Sequence, residues 1–285
     1  MTAFGSDALG IPMAGLPVLR ELIHERTGIF FGDDRVDLLA ERMAPLVVER
    51  GFRSFLDLYY LLKYDEAAAI EGWRRVMDAL SVPETYFWRE MDQIRAVVCR
   101  VVPELVRRNA GVIRIWSAPC ATGEEPLSIA IALQEAGWFD RVPIEIHGSD
   151  ASAAAIGKAR AGRYRQRSMR ALPPALAEKY FTSDGGTFAP KPDLARRITS
   201  WSVVNLLSTD EVAPYAQFPI VFCRNAFIYF SPRSIKRVVD QLAARMPSPA
   251  YLCVGASESL LTLTSAFSLE EIDRAFVYVK RSPDE

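Results

Sequence analysis

Histidine is scarce in this chain: there are two among 285 residues, His24 and His147. Imidazoles so few and so far apart cannot build a metal cage. The four cysteines, Cys99, Cys120, Cys223 and Cys253, are widely separated and contain no CxxC. Neither a zinc site nor a disulfide framework is expected, and no metal ligand is assigned. Cys120, Cys223 and Cys253 lie in or beside apolar strand-like runs and read, like the two histidines, as structural residues. There is no apolar run of the roughly 20 residues that a membrane span requires. The N-terminus lacks the basic region and apolar core of a leader. A cytoplasmic protein without membrane insertion is expected. The net charge is −1, so the chain as a whole gives no case for nucleic acid or an acidic surface. That balance hides an asymmetry: residues 1–90 carry 10 Lys/Arg against 15 Asp/Glu, leaving 24 against 20 for the rest.

What is present falls into two textures. Residues 1–90 read as a helical domain. Pro17 opens a helix that Gly28 closes, and a second runs from about Asp34 to Arg50, with Pro45 expected to kink it. Ser54 with Asp57 forms a capping pair ahead of "SFLDLYYLL", and a fourth helix covers about 67–80. A fifth, from Met91 to about Arg108, leads into residues 91–285. There short apolar runs alternate with helical patterns, as in "IRIWSA", "IEIHGS" and "PIVFCRN". That alternation predicts an α/β domain with a parallel sheet covered by helices. The stretch 181–202 does not alternate and reads as a small antiparallel β insertion.

The chemistry concentrates in "WSAPCATGEEPLSIAIAL", residues 116–133, a strand, tight turn and helix. In an open parallel sheet, ligands bind beyond the carboxyl ends of the strands. A phosphate loop needs several glycines, a lysine and a free helix N-terminus. This turn has one glycine, Gly123, no lysine, and two carboxylates, Glu124 and Glu125, on the positive end of the helix. It repels phosphate and suits a cationic, hydroxyl-rich ligand such as S-adenosylmethionine. Asp150 ends the second strand, 27 residues beyond Gly123, where an acid receives ribose hydroxyls. The G-x-G-x-x-G fingerprint of nicotinamide enzymes is absent.

The ordered set "ETYFWRE" (84–90), "IWSAPCATGEEPLSIA" (115–130), "SDASAAAIGKARAGRYR" (149–165), "VVNLL" (203–207), "VFCRNAFIYFS" (221–231) and "VGASESL" (254–260) resembles the chemotaxis protein methyltransferases of the CheR family. The resemblance implies an all-α N-terminal domain followed by a Rossmann-like S-adenosylmethionine-dependent methyltransferase domain with a small β subdomain. It implies O-methylation of glutamate side chains on the cytoplasmic helices of bacterial chemoreceptors, with S-adenosylhomocysteine as product. It places Thr85, Arg89, Glu125, Asp150, Asn205, Leu206, Asn225 and Ala226 at the cofactor, and Arg89 and Tyr229 at the methyl group and the incoming carboxylate. Other family members commonly carry asparagine where Pro83 stands. In well-studied members several arginines on the second helix meet the receptor, whereas this chain offers only Arg42, with Arg50 and Arg53 near the end. A basic cluster lies elsewhere, in "KARAGRYRQRSMR" (158–170). Two alternatives come from other classes. One is a non-catalytic cofactor-sensing or receptor-binding protein of the same fold. The other is a nucleic-acid methyltransferase, disfavoured because "RNAFIYF" follows the fourth strand in place of an Asn-Pro-Pro-Tyr-like motif. A monomer is expected.

Overall fold

The computed structural model describes residues 10–108 and 111–282. The chain forms two units. One comprises residues 1–82 with the short segment 229–234, and the other comprises 83–228 and 235–285.

The first unit is built on helices α1 (Leu16–Thr27), α2 (Val36–Glu49), α3 (Phe55–Tyr64) and α4 (Glu66–Leu80). Gly28 closes α1 in the left-handed region, at φ 79°, a conformation that costs glycine nothing and a β-carbon residue about 1 kcal/mol or more. Ser54 and Asp57 form the expected capping box at the start of α3. Leu19, Ile23, Leu39, Met43, Phe55 and Leu58 share one fully buried core; each such side chain contributes about 1.5–3 kcal/mol through burial. Pro45 is expected from the sequence to kink or interrupt α2; the helix is not interrupted and runs through it. Proline removes one N–H, and the Glu41 carbonyl that loses this donor belongs to an exposed residue, where water can replace it. The segment 229–234 joins this unit through main-chain bonds. The Phe30 N–H donates to the Tyr229 carbonyl at 2.8 Å, and the Ser231 N–H to Gly28 at 3.4 Å. His24 Nε2 lies 2.8 Å from the Ser231 hydroxyl.

The second unit follows the order α5 (Met91–Ala96), α6 (Val102–Arg107), β1 (Ile113–Ser117), α7 (Glu124–Glu135), β2 (Ile144–Asp150), α8 (Ala153–Ala161), β3 (Tyr164–Arg165), α9 (Pro174–Tyr180), β4 (Phe181–Asp184), β5 (Thr187–Pro190), α10 (Pro192–Ala195), β6 (Ile198–Val203), α11 (Thr209–Val212), β7 (Ile220–Cys223), α12 (Pro232–Arg245), β8 (Ala250–Val254), β9 (Ser268–Ile272) and β10 (Ala275–Lys280). The expected long helix from Met91 is divided by a π-helical turn at 97–101. Pro103, just beyond, cannot donate back into the preceding turn.

A seven-stranded sheet has the order β6-β2-β1-β7-β8-β10-β9. The pairs β6·β2, β2·β1, β1·β7 and β7·β8 are parallel. The last two strands add in antiparallel fashion. Strand order reverses on either side of β1, so the carboxyl ends of β1, β2 and β7 open at a topological switch point, where α/β sheets bind ligands. Ile113, Ile115, Ile146, Ile220 and Phe222 fill the core under that edge. The small sheet is antiparallel, in the order β3-β5-β4. The stretch 181–202 therefore divides: its first part is the β4–β5 hairpin, and its last strand, β6, belongs to the large sheet.

Candidate cofactor and methyl-transfer site

The turn after β1 is fixed by bonds to the end of β2. The Cys120 N–H donates to the Ser149 carbonyl at 2.8 Å, and Trp116 Nε1 donates to the Ser149 hydroxyl at 2.8 Å. Ala121 takes a left-handed φ of 47°, and its N–H donates to Asp150 Oδ2 at 2.9 Å. The other oxygen, Oδ1, accepts the Ser152 N–H at 2.9 Å. Asp150 is thus a buried carboxylate at the tip of β2 whose two oxygens accept the Ala121 and Ser152 amides. As an acceptor-only group it suits hydroxyl donors. Gly123 caps α7 at φ 96°, and a β-carbon there would lie 2.8 Å from the Trp201 ring. Both the dihedral and the space require glycine.

The two glutamates after Gly123 have different surroundings. Glu124 is 1% exposed. It accepts the Thr122 hydroxyl at 2.7 Å and the Ser168 hydroxyl at 2.9 Å. Burial raises its carboxyl above the ordinary range, and the hydroxyl bonds only partly oppose this. Glu125 Oε1 accepts the Ser117 hydroxyl at 2.7 Å, and its Oε2 accepts Nε of Arg224 at 2.7 Å. Arg224 is 4% exposed. Its remaining nitrogens donate to the Glu90 carbonyl at 2.8 Å and the Arg89 carbonyl at 3.1 Å. Burial opposes its charge, but the carboxylates of Glu125 and Glu90 outweigh that and hold the guanidinium protonated. One buried arginine therefore ties the turn after β1 to the segment that carries Arg89, where Trp88 and Glu90 both have positive φ.

A pH prediction follows from Glu124. Its native carboxyl titrates above its unfolded one, so the folded state holds more protons once pH enters the ordinary carboxylate range. Stability contributed there falls as pH rises through that range and beyond it. Glu124→Gln removes the titration. Urea unfolding between about pH 4 and pH 7 is expected to show the wild type losing its advantage over the glutamine variant as pH rises. A constant difference across that window would contradict the assignment.

Asn205 follows β6. Its Oδ1 accepts the Leu207 N–H at 3.0 Å, and its own N–H donates to Glu211 at 2.8 Å. Val204 N–H donates to the Asp150 carbonyl at 3.0 Å, so this loop sits against the β2 tip. Leu206 is buried beside it. After β7, Asn225 has a φ of 58° and Ala226 is buried. Asn225 Nδ2 approaches Glu90 Oε1 at 3.4 Å. Arg89 is 24% exposed at its side chain and lies 3.5 Å from Glu90. It also donates to the Glu84 carbonyl at 2.9 Å. Thr85 is half-buried on the same segment, which is pinned by the Phe87 N–H donating to the Ser168 carbonyl at 2.9 Å.

The structure thus gathers Arg89, Glu125 and Asn225 through Arg224 and Glu90, and gathers Asp150, Asn205 and Leu206 around the β2 tip. Tyr229 belongs to the helical unit, with its carbonyl bonded to Phe30. Sequence reasoning missed Arg224, Glu90 and Glu258. A signal for Arg224 existed: an arginine inside the apolar run "VFCRNAF" must be buried, and a buried arginine needs a carboxylate.

Among the described residues no His/Cys/Asp/Glu group could hold a metal ion. The cysteines are free; burial pushes the thiols of Cys120 and Cys223 well up and that of Cys253 to about 12, so none is a thiolate at neutral pH. No described helix is long and apolar enough to cross a membrane. On α2, the Arg42 guanidinium donates to the carbonyls of Ala79 (3.2 Å) and Leu80 (2.8 Å), closing the end of α4. In the basic cluster, Arg160 donates to the Trp201 carbonyl, and Arg167 and Arg170 pair with Glu84. Lys158, Arg163 and Arg165 are exposed.

Comparison with known proteins adds a second line of observation. Residues 14–81 match the family described as "CheR methyltransferase, all-alpha domain", and residues 83–276 match "CheR methyltransferase, SAM binding domain". The chain is 32% identical over 264 residues to chemotaxis protein methyltransferase 2 of Vibrio cholerae, covering 92% of this chain and 91% of that protein. It is 29% identical over 272 residues to chemotaxis protein methyltransferase 1 of Pseudomonas aeruginosa, covering 93% and 97%. It is 30% identical over 255 residues to the chemotaxis protein methyltransferase of Salmonella typhimurium, covering 87% and 85%.

Proposed function

The chain belongs to the CheR methyltransferase family, and from that premise we propose that it forms methyl esters on glutamate side chains of bacterial chemoreceptors. The observation that carries this reading is the family match across both the helical unit and the S-adenosylmethionine-binding unit. The donor set agrees with the cofactor: a turn without lysine, a carboxylate at the β2 tip, and no phosphate cradle.

S-adenosylmethionine supplies the methyl: the carbon–sulfur bond breaks as the bond to a glutamate oxygen forms, leaving S-adenosylhomocysteine and a neutral ester. The acceptor is already ionised at neutral pH, with a reference pKa of about 4.3, and needs no general base. The chain's residues therefore have to hold and align. Asp150 is assigned to the ribose hydroxyls, Asn205 and Leu206 to the adenine, and Asn225 and Ala226 to the loop beside them. Thr85 and Glu125 complete the cofactor set. Arg89 presents a planar fork of donors suited to a carboxylate, and Tyr229 supplies a hydroxyl or a ring face near the methyl group. Alignment of this kind is a large part of what an enzyme can contribute.

The acceptors are the cytoplasmic helices of the receptor, met by a monomer in the cytoplasm. Arg42 is committed to the end of α4, and the exposed face of α2 carries Asp37, Glu41 and Glu49. Attraction of an acidic receptor helix therefore falls to Lys158, Arg163 and Arg165, which would speed encounter more than tighten binding. The test is incubation of the pure protein with methyl-labelled S-adenosylmethionine and receptor-containing membranes, followed by mild base. Label on a receptor-sized band, released as methanol, is the expected result. Base-stable label would mean N-methylation and would sink the glutamate reading.

A further inference from the structure

Glu258 lies in the loop after β8 and has no part in the assignments above. Its carboxylate collects three main-chain amides from two loops. Oε2 accepts the N–H of Asn225 at 2.9 Å and that of Gly255 at 2.6 Å. Oε1 accepts the N–H of Ile228 at 3.2 Å. The Glu258 N–H itself closes a tight turn onto the Gly255 carbonyl at 2.9 Å. One side chain therefore fastens the loop after β7 to the loop after β8, both at the carboxyl edge of the sheet.

Two further features show that this arrangement is specific. Asn225 sits at a φ of 58°, a left-handed conformation that asparagine tolerates better than other β-carbon residues but does not adopt by default. The Glu258 bond to its N–H constrains it there. Gly255 has no room for a side chain: a β-carbon there would stand 2.7 Å from Asn225 Nδ2, 2.8 Å from Glu258 Oε2 and 3.0 Å from the Asn225 nitrogen. The two loops approach each other closely around the carboxylate. On the other side, Glu90 Oε1 approaches Asn225 Nδ2 and its Oε2 approaches the Ala256 N–H, each at 3.4 Å, which links the same corner to the Arg89 segment.

We propose that Glu258 is a positioning residue for methyl transfer, holding Asn225 and Ala226 in the conformation that receives the cofactor. This rests on the assignment of Asn225 and Ala226 to the cofactor. Glu258 touches neither substrate in this account and acts through the loop it holds. Carboxylate bonds to main-chain amides are among the stronger hydrogen bonds in proteins. Their loss would free Asn225 to leave the left-handed region, and the cofactor would have to restore that conformation on binding.

The experiment uses the full chain with E258A and E258Q. Affinity for S-adenosylhomocysteine is measured by calorimetry, and amide exchange is followed at residues 225, 228 and 255. E258A is expected to weaken binding about tenfold or more and to speed exchange at those three amides ahead of the rest of the sheet. E258Q is expected to fall between E258A and wild type, since its one carbonyl oxygen can still accept the Asn225 and Gly255 pair. In turnover, KM for S-adenosylmethionine should rise while KM for the receptor stays, a split that general loosening of the fold would not produce. Unchanged exchange at the three amides, or unchanged affinity in a folded E258A, would overturn the proposal; if E258A does not fold, E258Q carries the same two readouts. Wild-type protein that binds no S-adenosylhomocysteine would instead remove the cofactor assignment, and exchange would still decide whether Glu258 holds the loop.

Discussion

Arg224→Ala is expected to destabilise the protein by about 3–5 kcal/mol, the largest stability effect of any single change at the site. The reason is the state it leaves behind. Glu125, 12% exposed at its side chain, would keep a largely buried carboxylate that retains the Ser117 hydroxyl, and the carbonyls of Arg89 and Glu90 would lose the donors they now have at 3.1 and 2.8 Å. Breaking one side of a largely buried pair costs more than the pair itself contributes, because little water can replace the lost partner. Arg224→Met combined with Glu125→Gln should therefore cost less than Arg224→Ala alone. Chemical unfolding of the three proteins measures this. A loss below about 1 kcal/mol for Arg224→Ala would mean that the pair behaves as an exposed one.

Arg89→Ala is expected to do the reverse: leave the fold intact and lower methyl transfer by roughly 10²–10³-fold, the scale of losing one donor set aimed at the reacting groups. The structural cost is small because the guanidinium is partly exposed and its ion pair with Glu90 spans 3.5 Å, a class worth about 0–1 kcal/mol. Arg89→Lys should not restore the rate, since a lysine cannot present two parallel donors to a carboxylate. Initial rates at saturating cofactor and receptor, with unfolding curves alongside, separate the two effects. Near-normal turnover in Arg89→Ala would move the carboxylate clamp elsewhere.

Local signals in the sequence were reliable. The Ser54–Asp57 cap, the Gly123 turn and the helix and strand alternation around it each depend on neighbours within a few residues, and each is found where the pattern put it. The partnerships of the site were not legible in the same way. Glu124 and Glu125 are adjacent and look equivalent in sequence, yet one lies buried among hydroxyls, where burial raises its carboxyl, and the other is paired with an arginine 99 residues away. Nothing local encodes that pairing; it comes from β1 and β7 lying side by side. Glu258 was hidden for the same reason, since two of its three amide partners lie 30 and 33 residues back. The last strand at the edge of the sheet was also opaque. "SLEEI" (268–272) is too polar to stand out as a strand and makes sense only as an edge paired on one side.

The helical unit shows how a residue visible in sequence can be committed to a partner that the sequence does not reveal. Arg42 is the one arginine in the body of α2. Here its donors close the last turn of α4, a task for which a cation at a helix C-terminus is well suited. An arginine already bonded to two carbonyls is a poor candidate for a second partner. The proposed receptor contact therefore falls to the exposed cations Lys158, Arg163 and Arg165.

The central claim is that the cofactor sits at the β2 tip with its ribose on Asp150, and calorimetric titration with S-adenosylhomocysteine tests it most directly. Wild-type protein is expected to bind one equivalent. Asp150→Ala should lose affinity by about two orders of magnitude, because the hydroxyls lose their acceptor and the Ala121 and Ser152 amides lose the carboxylate that now orders the turn. Equal binding by the two proteins, with both folded, would place the cofactor elsewhere and contradict the account.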